Sequence, residues 1–333
     1  MSDYLYYPGC SLDGSARAYA QSLTEIVQPL GVVLKEIDDW NCCGATEYLT
    51  LSPLTGHALI GRNLALAEAQ RDGTTTVVAP CSACYVNLAK TDHYFRDNAT
   101  FRDSVNKVLA ADNLHYTPGA VRIRHLLEVL TDDVGLGQIS AAVTRPLTGL
   151  RVAPYLGCLI ARPDYDGRWT QHEQPRMLDN LLAALGAEVV DFPLRTACCG
   201  GHMSQISPDT AWELIRRIVD GAERAGADLL VTVCPMCQMN VDAYQGEMDH
   251  HFGAHYRVPI LFFTQVMGLA FGMPAHSLGI GNEVVSAGPA LARIGIEAPA
   301  SEQGEQPAEA AHTAGRQKRP KGLPMPEPLE ADR

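Results

Sequence analysis

The residues of this 333-residue chain best suited to chemistry are its ten cysteines, which fall into two copies of one spacing. The first copy is Cys10, the adjacent pair Cys42 and Cys43, and then Cys81 with Cys84; the second is Cys158, the pair Cys198 and Cys199, and then Cys234 with Cys237. The gaps are 31, 37 and 2 residues in the first copy and 39, 34 and 2 in the second, and no cysteine is left over. Thiolates are metal ligands and redox groups, so a five-thiol pattern written twice reads as a metal-ligand framework.

The expected compartment narrows the chemistry. No basic n-region followed by an apolar h-region opens the chain, so it is expected to stay in a reducing cytoplasm, where structural disulfides are rare. Neighbouring residues such as Cys42 and Cys43 also cannot easily close a relaxed disulfide with each other, which argues against a disulfide scaffold. Zinc takes C-x-x-C pairs but saturates at four tetrahedral ligands, whereas each copy offers five thiols and no histidine recurs beside both. Five thiolates suit an iron–sulfur cluster better. A zinc-binding assembly protein is the competing reading, and it predicts colourless protein without acid-labile sulfide.

Composition excludes other classes. With 46% apolar residues the chain can bury a large core, and its length suggests about two domains. A net charge of −12 with no Lys/Arg stripe interleaved with aromatics argues against nucleic-acid binding. The uncharged stretch Val258 to Ala275 holds two prolines, two glycines, a threonine and a glutamine. It reads as a buried strand and helix rather than a membrane span of about 20 apolar residues.

Along the chain, each cysteine group follows an expected strand. Ser2 to Tyr7 leads to Pro8-Gly9-Cys10, Val32 to Ile37 leads to Asn41-Cys42-Cys43-Gly44, and Thr74 to Ala79 leads to Pro80-Cys81. Helices are expected over Ser15 to Leu30, over Leu54 to Gln70 and from about Tyr85. The second half repeats the order, with strands at Leu150 to Leu156, Glu188 to Phe192 and Leu229 to Val233, and helices at Pro175 to Leu185, Ala211 to Ala225 and from Met236. Ile123 to Leu130 and Ile260 to Leu269 correspond as a short extended piece running into a helix. Alternating strands and helices predict an α/β fold of two similar parallel-sheet, Rossmann-like halves related by internal duplication. The cysteines then lie beyond the carboxyl ends of the strands, where backbone N–H groups and helix N-termini favour anionic sulfur. Gly44 and Gly200-Gly201 allow close backbone approach or positive φ.

The segments Tyr7-Pro8-Gly9-Cys10, Asn41-Cys42-Cys43-Gly44, Pro80-Cys81-Ser82-Ala83-Cys84, Gly157-Cys158-Leu159, Cys198-Cys199-Gly200-Gly201 and Cys234-Pro235-Met236-Cys237 resemble the duplicated cysteine-rich domain of the B-type subunit of heterodisulfide reductase. The likeness spans roughly Tyr4 to Gly272. It implies two noncubane 4Fe–4S clusters, one on Cys10, Cys42, Cys43, Cys81 and Cys84 and the other on Cys158, Cys198, Cys199, Cys234 and Cys237. It also implies a disulfide substrate lying between facing clusters, with each cluster's iron taking one sulfur as the S–S bond is split. The expected partners are a ferredoxin-like 4Fe–4S subunit, the C-type component of such complexes, and a flavin-containing subunit, the A-type component. The chain has no G-x-G-x-x-G fingerprint of its own.

The reading is therefore an oxidoreductase acting on sulfur groups, with residues 1–148 and 149–285 as the two cysteine-rich domains and 286–333 as a C-terminal extension. The alternative is an iron–sulfur electron-transfer subunit of a quinone-linked dehydrogenase of the glycolate, lactate, glycerol 3-phosphate or succinate type. His202, just past Cys199-Gly200-Gly201, is a candidate proton or hydrogen-bond donor. His125 is expected to be structural and Arg162 solvated. The tail from about Ala300 is expected to be disordered, its Arg316, Lys318, Arg319 and Lys321 a solvated charge run.

Overall fold

The computed structural model of the chain describes residues 2–45, 48–165 and 173–299; the expectations for the C-terminal tail lie outside them. The described residues belong to one compact unit holding two four-stranded parallel sheets of the same topology. The first sheet has β1 (Ser2–Tyr6), β2 (Val32–Glu36), β3 (Thr76–Ala79) and β4 (Arg122–His125) in the order β2-β1-β3-β4. The second has β5 (Arg151–Tyr155), β6 (Glu188–Val189), β7 (Leu229–Thr232) and β8 (Ile260–Phe262) in the order β6-β5-β7-β8. In both, the order reverses between the first and third strands, which is where open α/β sheets bind ligands beyond their carboxyl ends. Cys10 follows β1 and Cys81 follows β3, one on each side of that point, and Cys158 and Cys234 repeat the arrangement after β5 and β7.

Three elements differ from expectation, each for a local reason. The strand expected over Glu188 to Phe192 keeps only Glu188–Val189 at the sheet's edge; Val190 N still donates to Val152 O at 3.0 Å, and the chain then leaves the ladder ahead of Pro193. The helix expected from Tyr85 begins at Ser82, with Cys81 as its extended N-cap, so Cys84 lies in the first turn. The helix from Met236 is two, Pro235–Ala243 and Gln245–Phe252, broken at Tyr244.

Each half has its own core, but the largest core is shared. Tyr19, Leu23 and Ile26 on the amphipathic helix Arg17–Val27 pack with Phe262, Phe263 and Val266 from the second half. Burying each such side chain contributes about 1.5–3 kcal/mol. Val258 to Ala275 is the buried strand β8 and the helix Phe263–Ala270. Among the described residues no helix is long and apolar enough to cross a membrane.

Candidate functional site

In the first half, β1 runs out through Tyr7, whose N–H still pairs with Val78 O at 2.9 Å, into Gly9 at φ 73°. A Cβ on Gly9 would lie 2.8 Å from Cys84 Sγ, so only glycine lets this turn pass the thiol. The Tyr7 hydroxyl donates to Asn41 O at 2.7 Å, and Asn63 donates to the same carbonyl at 2.9 Å, which fixes the start of the Cys42-Cys43 loop. Cys10 and Cys42 sulfurs are 3.5 Å apart, and Cys43 and Cys84 sulfurs 3.4 Å. Gly44 N donates to Cys42 Sγ at 3.4 Å, and the Asn87 amide points at Cys43 Sγ from 3.7 Å.

The second half repeats these contacts in kind. Gly157, at φ 72°, could not carry a Cβ, which would lie 2.7 Å from Cys237 Sγ. Tyr155 hydroxyl donates to Ala197 O at 2.9 Å, Gly200 N to Cys198 Sγ at 3.3 Å and Asn240 Nδ2 to Cys199 Sγ at 3.5 Å.

The two sets adjoin through their C-x-x-C turns. Tyr19 hydroxyl lies 3.1 Å from Pro80 O and 3.3 Å from Val233 O, the carbonyls just before Cys81 and Cys234. The Cys81 and Cys234 thiols are neighbours across this junction, each shifting the other's protonation. A row of neighbouring sulfurs thus runs from Cys10 through Cys42, Cys43, Cys84 and Cys81 to Cys234, Cys237 and Cys199. Its middle is buried; Cys10, Cys42 and Cys198 are exposed.

Each protonation state follows from a sulfur's neighbours. A hydrogen bond from Cys158, the Gly200 N–H and the Arg162 guanidinium lower the Cys198 thiol to about 6, against the opposing effect of burial. Cys158, the donor, is pushed up. Cys43 and Cys234 are held down by neighbouring thiols that donate to them, while donating and burial push Cys81, Cys84 and Cys237 up. Among the described residues no three Cys, His, Asp or Glu side chains are gathered as donors to one metal ion. Rows of thiols, glycines with no room for a Cβ and N–H donors aimed at sulfur, those of Asn87 and Asn240 in the buried part, fit a polynuclear iron–sulfur group.

Of the other expected residues, His202 stands half-buried before the short helix Met203–Ile206. His125 is structural: fully buried, its Nδ1 accepts from Leu127 N at 3.1 Å, and burial lowers its pKa to about 4. Arg162 is not simply solvated, because it donates to Thr196 O at 2.8 Å and to Glu173 at 3.0 and 3.1 Å, bracing the approach to Cys198. Sequence reasoning missed Asn87, Asn240, Tyr19 and the roles of Gly9 and Gly157. The asparagines were detectable, since C-x-x-C-x-x-N recurs at the same offset in both halves.

Two doubly wound halves, each gathering five thiols at the carboxyl edge of its sheet, define a duplicated cysteine-rich α/β protein. The cysteine-rich domain model CCG matches residues 4–89 and again 152–242, and the chain belongs to this family, with two copies of the domain. It is 34% identical to the 8-methylmenaquinol:fumarate reductase membrane anchor subunit of Wolinella succinogenes, over 86% of this chain and 98% of that one. It is 28% identical to the B-type subunit of the ferredoxin:CoB-CoM heterodisulfide reductase of Methanosarcina mazei, over 88% and 97% of the two chains. A hypothetical protein from Helicobacter pylori shares the fold, with TM-score 0.67 at 13% identity over 86% of this chain and 52% of that one.

Proposed function

We propose that the chain is the iron–sulfur subunit of a heterodisulfide reductase-like complex, cytoplasmic, with one noncubane 4Fe–4S cluster held by Cys10, Cys42, Cys43, Cys81 and Cys84. Cys158, Cys198, Cys199, Cys234 and Cys237 hold the second. The observation that carries this reading is the junction at Tyr19, where two complete thiol sets adjoin through Cys81 and Cys234. Bound there, the clusters would supply single electrons, paired so that a disulfide plus two electrons and two protons gives two thiols, or the reverse. The chain's own part is division of labour between its faces. Cys10, Cys42 and Cys198 are exposed, and substrate would reach the clusters at these thiols. The buried thiols and Tyr19 exclude water from the path between the sets. A ferredoxin-like 4Fe–4S subunit and a flavin-containing subunit relay the electrons, and His202 is a candidate proton donor.

The Wolinella relative favours a second reading, in which the chain passes electrons within a quinone-linked complex of the fumarate or succinate type. Anaerobic purification with iron and sulfide analysis tests the shared premise: about eight irons per chain are expected, and zinc without sulfide would overturn it. EPR of the oxidised protein with added thiols, beside reduction by a menaquinol analogue, separates the readings. A thiol-dependent signal supports the disulfide reading; quinol reduction without any thiol response supports the relay.

A further inference from the structure

The helix carrying each C-x-x-C pair presents a third polar group one turn later. Asn87 stands three residues after Cys84, and Asn240 three after Cys237, on the helix face that bears the thiol. Asn87 Nδ2 donates to Cys43 O at 3.3 Å and to Ala45 O, and lies 3.7 Å from Cys43 Sγ. Asn240 Nδ2 donates to Cys199 O at 3.2 Å and Gly201 O at 2.8 Å, and lies 3.5 Å from Cys199 Sγ. The two N–H groups of one amide are therefore shared among two carbonyls of the adjacent-cysteine loop and its buried second thiol, one of them bifurcated. Both side chains are buried, and Asn240 Oδ1 has no partner among the described residues. A buried amide whose oxygen is left unsatisfied is present for its N–H groups.

We infer that Asn87 and Asn240 are positioning residues that set the reduction potential of the cluster in their own half, each by an N–H···S bond to the second cysteine of the adjacent pair. This rests on the cluster reading above. Reduction adds negative charge to the cluster sulfurs, and an N–H donor stabilises that charge more in a buried site. Each asparagine therefore raises its own cluster's potential. The loops are not equally tolerant. Asn87 restrains Ala45 at φ 48°, a left-handed conformation costly for a residue with a Cβ, where the second half has Gly201 at φ 53°. Loss of Asn87 loosens its loop more than loss of Asn240.

The test is EPR-monitored redox titration of the anaerobic holoprotein and of Asn87→Asp and Asn240→Asp, near-isosteres that turn a donor into an acceptor. Each variant should favour the oxidised form of its own cluster about tenfold, a fall of ~59 mV for a one-electron couple, with the other cluster unmoved. Iron in Asn87→Asp should also be lost sooner to a chelator. Loaded variants with unchanged potentials, or with both clusters shifted alike, overturn the inference. Should an Asp variant not load, pulsed EPR of wild-type protein carrying amide-15N asparagine decides: a 15N coupling on each paramagnetic cluster supports the bond, and none overturns it. Wild-type protein without iron or sulfide would instead mark failure of the cluster reading itself.

Discussion

Tyr19 lies flat on Phe262, ring centroids 4.3 Å apart at an interplanar angle of 12°, and so joins the first half of the chain to the end of β8 in the second. Its ring is fully buried and its hydroxyl reaches both carbonyls that precede the C-x-x-C cysteines. Tyr19→Phe keeps the stack and strands the two carbonyls, and should lower stability by about 1–2 kcal/mol. Tyr19→Ala also opens a cavity in the shared core and should cost about 3–5 kcal/mol. Urea unfolding of the anaerobic holoprotein measures both; no loss in Tyr19→Phe would mean that the hydroxyl contributes nothing.

Gly9 and Gly157 are expected to be intolerant of even one added carbon. Each combines a left-handed φ with a Cβ position inside the radius of a cysteine sulfur, Cys84 or Cys237. The φ alone costs an alanine about 1–2 kcal/mol, and the displaced sulfur should no longer reach its metal. Gly9→Ala should lose the iron of the first set and keep the second, and Gly157→Ala the converse, read from iron and sulfide content. Gly31→Ala is the control, because it has a similar φ of 63° with nothing near its Cβ. Full iron in Gly9→Ala would show that the thiol can yield.

Most of the scaffold was legible because strand, cysteine and helix recur in the same order in both halves. The duplicated topology follows from that repeat, and β8 with its helix was readable in an uncharged stretch that could pass for membrane-like. Less legible were features that depend on approach in space. Nothing local marks Tyr19 as the residue between two halves, or Gly9 as the neighbour of Cys84. β6 was overestimated because its apolar run continues through Val190 and Phe192, past the point where the pairing with β5 ends. Arg162 looked solvated since its acceptors, Thr196 O and Glu173, come from other segments. Asn87 and Asn240 were legible in principle, yet an asparagine one turn into a helix has no chemical signature until its thiol partner is placed.

Asp242 should give the fold a measurable pH dependence. Its carboxyl is buried, accepting from Val284 N and Val285 N at 2.9 Å each with Glu283 nearby, and burial raises its pKa from 3.8 to about 6. The folded state therefore keeps a proton that the unfolded chain releases between about pH 4 and 6. The contribution is fully present below about pH 4 and is lost as pH rises through about 6, a fall of about 2–3 kcal/mol. Asp242→Asn should lack that slope in urea unfolding measured across the window. Parallel profiles for the two proteins would refute it.

Among the described residues Arg195 is the second half's most buried cation, and its removal should be costly only when its partner stays. The side chain is fully buried, donating to Phe192 O at 3.1 Å and to Asp179 at 3.1 Å, and burial lowers its pKa. Its carbonyl accepts from Leu156 N and Gly157 N at 2.8 and 3.0 Å, which ties the approach to Cys198 onto the turn that presents Cys158. Arg195→Met leaves the Asp179 carboxylate in the interior with only Arg176, half-exposed at 2.8 Å, to balance it. Breaking such a pair from one side typically costs about 3–5 kcal/mol, whereas replacing both partners by apolar groups is often neutral. The double variant Arg195→Met with Asp179→Leu should therefore recover most of the loss, and iron on the second set should recover with it. Additive losses in that double-mutant cycle would show that the Arg195 side chain acts through packing and its bond to Phe192 O rather than through Asp179.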